Sequence, residues 1–313
     1  MDCAMRSIRE SAGEENHFIL GKRKPRDNIR RTVNLLEELE SKIVPGDGAM
    51  GTALLEAGIP GCLEEASVSR PDLVRSIHEQ FIDAGARVIE TNSFGANAVR
   101  LGKFGFENRV NEINWSAAQL AKQCARNRPV YVAGSVGPLG ITPAQGIDRQ
   151  AVFREQIGAL LDGGVDLIFL ETFSDLEELA LALYVKQSLH HCPVVCSLAC
   201  TEEGALRSGL PVAEAFAKLR SLEADVVGLN CVPNGPGAML RVFERVPGEG
   251  PPRSAYPNAG YPANTTPESF ARAACGLAGL GARLLGGCCG IGPTHIAAMV
   301  KALAQRGALA ERN

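Results

Sequence analysis

The chain has 313 residues, 45% of them hydrophobic and 21% charged, a globular composition that excludes wholesale disorder. A chain of this length buries a large core without help from disulfides or metal. Its 32 basic and 35 acidic residues leave a net charge of −3, which argues against nucleic acid or an anionic membrane surface as partner.

The start, MDCAMRSIRE, has no apolar core and carries two acids, so it is not a secretory signal, and no apolar run is long enough for a transmembrane helix. Ten cysteines without an export signal point to the cytoplasm, where thiols stay reduced. Residues 1–41 read as an N-terminal extension, poorly ordered or helical. Lys22, Arg23, Lys24, Arg26, Arg30 and Arg31 crowd one stretch with no apolar period, which suits a solvated tail better than a nucleic-acid arm. The segment from Asn28 to Lys42 has helical spacing, with Leu35, Leu36 and Leu39 on one side.

From Lys42 onward, short aliphatic runs end in a polar residue and helical stretches follow them. Four runs are introduced alike: Gly85-Ala-Arg-Val-Ile-Glu90, Gly164-Val-Asp-Leu-Ile-Phe-Leu-Glu171, Glu223-Ala-Asp-Val-Val-Gly-Leu-Asn230 and Gly281-Ala-Arg-Leu-Leu-Gly286. Each reads as a helix end, a one-residue turn and a buried strand. Ile43–Asp47, Val130–Ser135, Val194–Ala199 and Arg253–Asn258 fill the gaps. Helices are expected at Pro71–Ala84, Val110–Arg126, Arg149–Gly163, Asp175–Leu189, Pro211–Leu222 and Pro267–Leu280, among others. Eight βα units in about 265 residues fit an α/β fold of the (β/α)8 TIM-barrel type. An open doubly wound sheet is the runner-up, but strand one runs into Asp47-Gly-Ala-Met-Gly-Thr52 instead of a G-x-G-x-x-G fingerprint. The expected organisation is therefore one barrel at 42–306, after the extension and before a short tail at 307–313.

In such a barrel the chemistry lies at the carboxyl ends of the strands. These ends bring together Asp47, Glu90, Thr91, Asn92, Gly134, Ser135, Glu171, Thr172, Cys200, Asn230, Cys231, Asn258, Cys288 and Cys289. Cys192, Cys196 and Cys200 are spaced as small core hydrophobes. Cys231 with Cys288 and Cys289 is the sharper set. Vicinal cysteines meet one metal only if the chain bends, and Gly286, Gly287 and Gly290 permit a bend. Three thiolates suit Zn²⁺ with one position open, which marks a catalytic site. On spacing alone, zinc, a buried pair and a redox-active vicinal disulfide all stay open. His78, His190, His191 and His295 fall in helices or connections away from the rim, so no histidine base is expected.

The segments Gly46-Asp-Gly-Ala-Met-Gly-Thr52, Glu90-Thr-Asn-Ser-Phe-Gly-Ala-Asn97, Val132-Ala-Gly-Ser-Val-Gly-Pro138, Glu171-Thr-Phe, Gly228-Leu-Asn-Cys231, Tyr256-Pro-Asn-Ala-Gly260 and Gly286-Gly-Cys-Cys-Gly290 resemble the homocysteine S-methyltransferase family. That family includes the homocysteine module of cobalamin-dependent methionine synthase, betaine–homocysteine methyltransferase and the S-methylmethionine-dependent enzymes. The resemblance runs from about Lys42 to Ala304. It implies one catalytic zinc per chain on Cys231, Cys288 and Cys289, no catalytic residue beyond that site, and a homocysteine thiolate methylated to methionine. It also implies that Glu171 meets the substrate amino group and that backbone N–H groups of Asp47, Gly48 and Met50 meet the carboxylate. The residues themselves agree: a carboxylate closing the buried run Leu167–Leu170 needs a partner, while Asp47 also suits a helix cap. Asn92 and Asn230 are expected to support loops.

The methyl donor divides the resemblance. Glu90–Asn97 and Glu171–Leu176 look like methionine synthase, whereas Ala133–Pro138 and Tyr256–Asn258 also look like the S-methylmethionine enzymes. With no room expected for a corrinoid or folate domain before Asn313, the donor is either a small sulfonium (S-methylmethionine or S-adenosylmethionine) or methylfolate through methylcobalamin on a separate protein. The stretch Asn258–Pro267 looks shorter than in folate-type relatives, and no tyrosine cage for betaine is evident. A Schiff-base aldolase is disfavoured because no lysine ends a strand. A non-catalytic, thiol-binding zinc subunit of a multicomponent methyltransferase is the alternative.

Overall fold

The computed structural model describes residues 35–140, 146–246, 248, 250–260 and 265–309. Expectations for residues 1–34, 310–313 and part of the 258–267 stretch lie outside them. The residues that introduce four of the expected strands share one backbone conformation. Gly85, Gly164, Glu223 and Gly281 are left-handed, with φ of +103°, +84°, +59° and +92°. Such a residue ends a helix and turns the chain back. The Ala86 N–H then reaches the Phe81 carbonyl at 3.0 Å, and the Ala224 N–H that of Leu219 at 3.2 Å. Glycine takes three of the four positions because a Cβ is strained there.

The runs that follow are strands β1 (Val44–Pro45), β2 (Val88–Glu90), β3 (Tyr131–Val136), β4 (Leu167–Phe173), β5 (Val194–Leu198), β6 (Val226–Asn230), β7 (Arg253–Tyr256) and β8 (Ala282–Leu285). They form one eight-stranded sheet in the order β1-β8-β7-β6-β5-β4-β3-β2, and every pairing is parallel. A bridge between Gly46 and Val88, with the Arg87 N–H on the Pro45 carbonyl at 2.7 Å, brings β1 and β2 together and nearly closes the ring. The six expected helices are present at Pro71–Asp83, Val110–Cys124, Arg149–Asp162, Leu176–Leu189, Val212–Ser221 and Pro267–Gly279, and Pro236–Arg245 and Pro293–Ala304 follow β6 and β8. This is a (β/α)8 TIM barrel in a single domain. No helix among the described residues is long and apolar enough to cross a membrane.

The pleat sorts the strand residues. Tyr131, Ala133, Leu167 and Phe169 point into the barrel, while Val132, Ile168 and Leu170 pack under the helices. The polar residues that follow the left-handed turns bind across the barrel floor. Asp166 Oδ2 accepts from the Val132 N–H and Asp225 Oδ2 from the Val194 N–H, both at 2.8 Å. Below them residues 35–41 are helical and form a plug. Leu35 and Leu39 are buried in the interior cluster with Val44, Val88, Leu167 and Leu284. Glu38 accepts from Arg87 Nη1 at 2.6 Å and from the Tyr131 hydroxyl at 3.0 Å.

Leu39→Ala leaves a cavity under the barrel and is expected to lower stability by about 2–5 kcal/mol. The check is an earlier urea midpoint at unchanged m-value; an unshifted midpoint would show that the plug is dispensable.

Candidate functional site

The polar residues of the barrel gather at the carboxyl ends of the strands. β6 ends at Asn230, and Cys231 turns off it at φ +54° with its N–H on the Tyr256 carbonyl at 3.2 Å. β8 ends at Leu285, so Cys288 and Cys289 sit on a turn where strand alternation no longer separates them. The glycines there serve mainly by leaving space. A Cβ on Gly286 would collide with the Tyr256 ring and one on Gly287 with Ile291, whereas Gly290 has the positive φ, +79°. The turn is fastened to the β7 rim by the Cys288 N–H on the Pro257 carbonyl at 2.9 Å and the Ala259 N–H on the Cys289 carbonyl at 2.8 Å.

The three sulfurs lie within 4.8 Å of one another. Cys231 and Cys288 are at bonding distance, and Cys289 is 3.7 Å from the first and 3.9 Å from the second. The close pair is thus Cys231–Cys288, not the vicinal pair. A sulfur–sulfur bond and a metal on this set exclude each other, because the ligand is the thiolate. Three soft sulfurs, with exposed Cys289 on the open side, fit Zn²⁺ with a fourth position left over. Without a cation the Cys289 thiol is raised, first by desolvation and then by the charge of Glu171. Cys192, Cys196 and Cys200 are buried around β5, and burial pushes the Cys200 thiol up to about 12. They are core residues.

Beside the sulfurs three carboxylates form a bowl. Asp47 is buried at the end of β1; its Oδ2 accepts from the Glu90 N–H at 2.8 Å and its Oδ1 has no partner among the described residues. Glu171 accepts a short hydrogen bond from the Ser135 hydroxyl. All three acids are pushed up, by burial first. The charge of Glu171 adds to the effect on Asp47 and Glu90, while bonds from Glu90 and Ser135 oppose it at Glu171. None of the three joins an ion pair among the described residues. Tyr256 crosses the barrel beneath them, edge-on to Phe169 at 5.0 Å, and its buried hydroxyl has no partner among the described residues. Burial, then Glu90, Asp47 and Glu171, raise that phenol too, so it stays a donor.

Bare acceptors around a desolvated space suit a cationic head, such as an ammonium. Glu90 and Ser135 stand among the expected strand ends without an assigned role, and Tyr256 is expected only as part of a motif. Glu90 had the same signal as Glu171, a carboxylate closing a buried run. The expected N–H donors of the Asp47–Met50 loop are narrowed. Ala49 N–H is spent on the Ile291 carbonyl at 2.9 Å and Met50 N–H on that of Gly48 at 3.0 Å, while Gly48 N–H has no bond among the described residues.

Asn92 supports a neighbouring loop, donating to the Leu63 carbonyl at 2.8 Å and Ser67 Oγ at 3.2 Å. Asn230 instead reaches into the site, touching Thr172, Glu171 and Cys288. Of the histidines, His78 is buried in a helix, and desolvation holds it down at about 4. His295 departs from expectation. Its ring lies at the rim, with Nδ1 accepting from the Gly292 N–H at 3.2 Å and Nε2 therefore donating to the Thr265 carbonyl at 2.8 Å. Both nitrogens are occupied, so it is no base.

Comparison with known proteins agrees over most of the chain. A family model described as homocysteine S-methyltransferase matches residues 45–303. The chain is 33% identical over 303 residues to a methionine synthase of Mycobacterium tuberculosis and 32% identical over 304 residues to that of Mycobacterium leprae. Each match takes in 87% of this chain but 25% of the relative, so the chain spans about a quarter of the length of these curated proteins. Among solved structures, the metallated form of the homocysteine methyltransferase MmuM from Escherichia coli superposes with a TM-score of 0.72 at 26% identity, covering 86% of this chain and 98% of that one.

The raised carboxylates set a pH dependence of stability. Their folded-state pKa values exceed the unfolded ones, so the folded state binds more protons. Stability is therefore greatest below the ordinary carboxylate range and falls as pH rises through the raised values. Glu90→Gln removes one such acid. It is expected to melt at least about 2 °C above the parent near neutral pH, with the gain disappearing near pH ~4. Calorimetry at the two pH values checks this; a difference independent of pH would refute it.

Proposed function

Because the chain belongs to the homocysteine S-methyltransferase family, we propose that it transfers a methyl group to the sulfur of homocysteine, giving methionine, with Cys231, Cys288 and Cys289 holding one zinc ion. The observation that supports this reading most is the pairing of two unlike seats on one rim. Three convergent sulfurs lie beside three desolvated carboxylates that join no ion pair among the described residues.

Zinc bound there supplies the positive charge that removes the proton from a substrate thiol at neutral pH. The protein's own groups do the rest. Glu171, steadied by Ser135, takes the substrate ammonium, and Asp47 Oδ1 and Glu90 complete its surroundings. The free N–H of Gly48 serves the substrate carboxylate. Fixing both ends of the amino acid leaves the sulfur directed at the open side of the rim, where in-line attack on an activated methyl needs no protein base. The sulfur–methyl bond forms as the bond from methyl to donor breaks, and the donor leaves with that electron pair.

Two donor readings remain within the family. A sulfonium donor leaves as a neutral sulfide and needs nothing further. The relatedness to methionine synthases at 33% identity favours methylfolate through methylcobalamin. Zinc-loaded protein with homocysteine and S-methylmethionine, and no second protein, tests this. Methionine formation is the outcome for a self-sufficient enzyme. Homocysteine binding without turnover would assign the donor to a corrinoid partner, and absence of homocysteine binding would refute the proposal. Cys289→Ala is expected to retain less than about a tenth of the zinc of the parent, with an unchanged circular dichroism spectrum because the barrel core does not include that residue. Full zinc content in this variant would refute the assigned ligand set.

A further inference from the structure

We infer that the clamp between Asn230 and Thr172 sets the length of the amino-acid thiol that the site accepts, making Asn230 a positioning residue that separates homocysteine from cysteine. This rests on the reading of the rim as a homocysteine site.

Asn230 uses its whole amide. Its Oδ1 accepts from the Thr172 N–H at 2.8 Å and from Ser197 Oγ at 2.9 Å. Its Nδ2 donates to Thr172 Oγ1 at 2.5 Å and faces Glu171 Oε2 at 3.5 Å and Cys288 Sγ at 3.9 Å. The next residue in the chain is Cys231. One side chain therefore touches the sulfur seat through a covalent neighbour and through Cys288, and the acid seat through Glu171 and its neighbour Thr172.

Thr172 is a β-branched residue at φ +62°, a region that such side chains avoid. The pairing of β4 with β5 shifts register at the same place, between Leu170 and Phe173. Among the described residues, the two bonds to Asn230 hold the N–H and the hydroxyl of Thr172 in that conformation. If Thr172 returned to extended backbone, the bulge would be lost. Glu171, directly before it, would then turn relative to the face it now presents, because side chains alternate along a strand. The separation between carboxylate and sulfurs thus depends on this amide.

That separation is what distinguishes the two natural amino-acid thiols, which share a head and a thiol and differ by one methylene. The apolar value of a methylene gives only about a fourfold preference. A stronger preference requires two anchors at a fixed distance, so that the shorter molecule reaches one and misses the other.

The test is calorimetric binding of L-homocysteine, L-cysteine and the one-methylene-longer 2-amino-5-mercaptopentanoate to the zinc-loaded full chain, with zinc content measured in parallel. The parent is expected to prefer homocysteine well beyond fourfold over both. Thr172→Gly, which tolerates the left-handed backbone but loses the hydroxyl, and Asn230→Ala are expected to keep zinc while the preference drops at least about tenfold or collapses to the methylene value. An unchanged preference with zinc retained, including a uniform loss of affinity for all three thiols, overturns the inference alone. If Asn230→Ala loses zinc, Thr172→Gly decides by the same criterion, and zinc loss in both makes the amide a support of the metal seat and overturns it. A parent that does not prefer homocysteine overturns the reading of the site as well.

Discussion

The seam between β1 and β2 is where closing the fold and building the site become one problem. β1 is two residues long, Val44 and Pro45, and its ladder to β2 is thin. Past Gly46 a side chain takes over from backbone pairing, as Asp47 Oδ2 accepts the Glu90 N–H at 2.8 Å. The same residue's carbonyl accepts the Gly287 N–H at 2.8 Å, one residue before Cys288. Asp47 thus closes the barrel, fixes the turn that carries two of the three rim cysteines, and leaves one buried oxygen bare. A carboxylate is a poor choice for a seam if closure is all that matters, because desolvation acts against its charge. It makes sense where the second oxygen faces a ligand.

The opposition between the two ends of the barrel follows from that choice. The lower interior is dry: Leu35 and Leu39 of the plug meet Val44, Val88, Leu167, Val195 and Leu284. The middle is spanned by Phe169 and Tyr256, and the top is acid and sulfur. Apolar burial below offsets unfavourable desolvation above, and the parallel sheet, covered by helices outside, ties the two levels together. Gly46 and Gly286 belong to the same economy of space, since a side chain at either would strike the Tyr256 ring or its hydroxyl.

Much of this was legible in the sequence. Parallel strands buried on both faces read as apolar runs, which places all eight strands where expected, and for four of them the repeated Gly/Glu-Ala/Val-Arg/Asp introduction marks helix end and strand start together. The rim cysteines separated from Cys192, Cys196 and Cys200 by their position relative to strand ends. What stayed hidden depends on contacts far apart in the chain. The left-handed Thr172 is explained only by an asparagine 58 residues on. The Met50 N–H, expected as a ligand donor, is spent within the loop, and His295 reaches Thr265, 30 residues back, although its helix looked remote from the rim. Tyr256 sat inside a motif without the charge that draws attention. Only the structure exposes its hydroxyl as a buried donor with no acceptor among the described residues.

Charge links the two seats. Glu171 raises Asp47 and Glu90, Asp47 adds to the effect on Glu90, and Glu171 acts on the Cys289 thiol as well. None of the acids has an ionic partner among the described residues. Such a rim is unfavourable in proportion to the number of groups that ionise together, and only positive charge brought from outside relieves it. The two groups proposed for it, a zinc ion on the sulfurs and an ammonium in the bowl, are both positive. Each weakens the repulsion felt by the other's ligands. Asn230 stands between the two seats, its Nδ2 3.5 Å from Glu171 Oε2 and 3.9 Å from Cys288 Sγ.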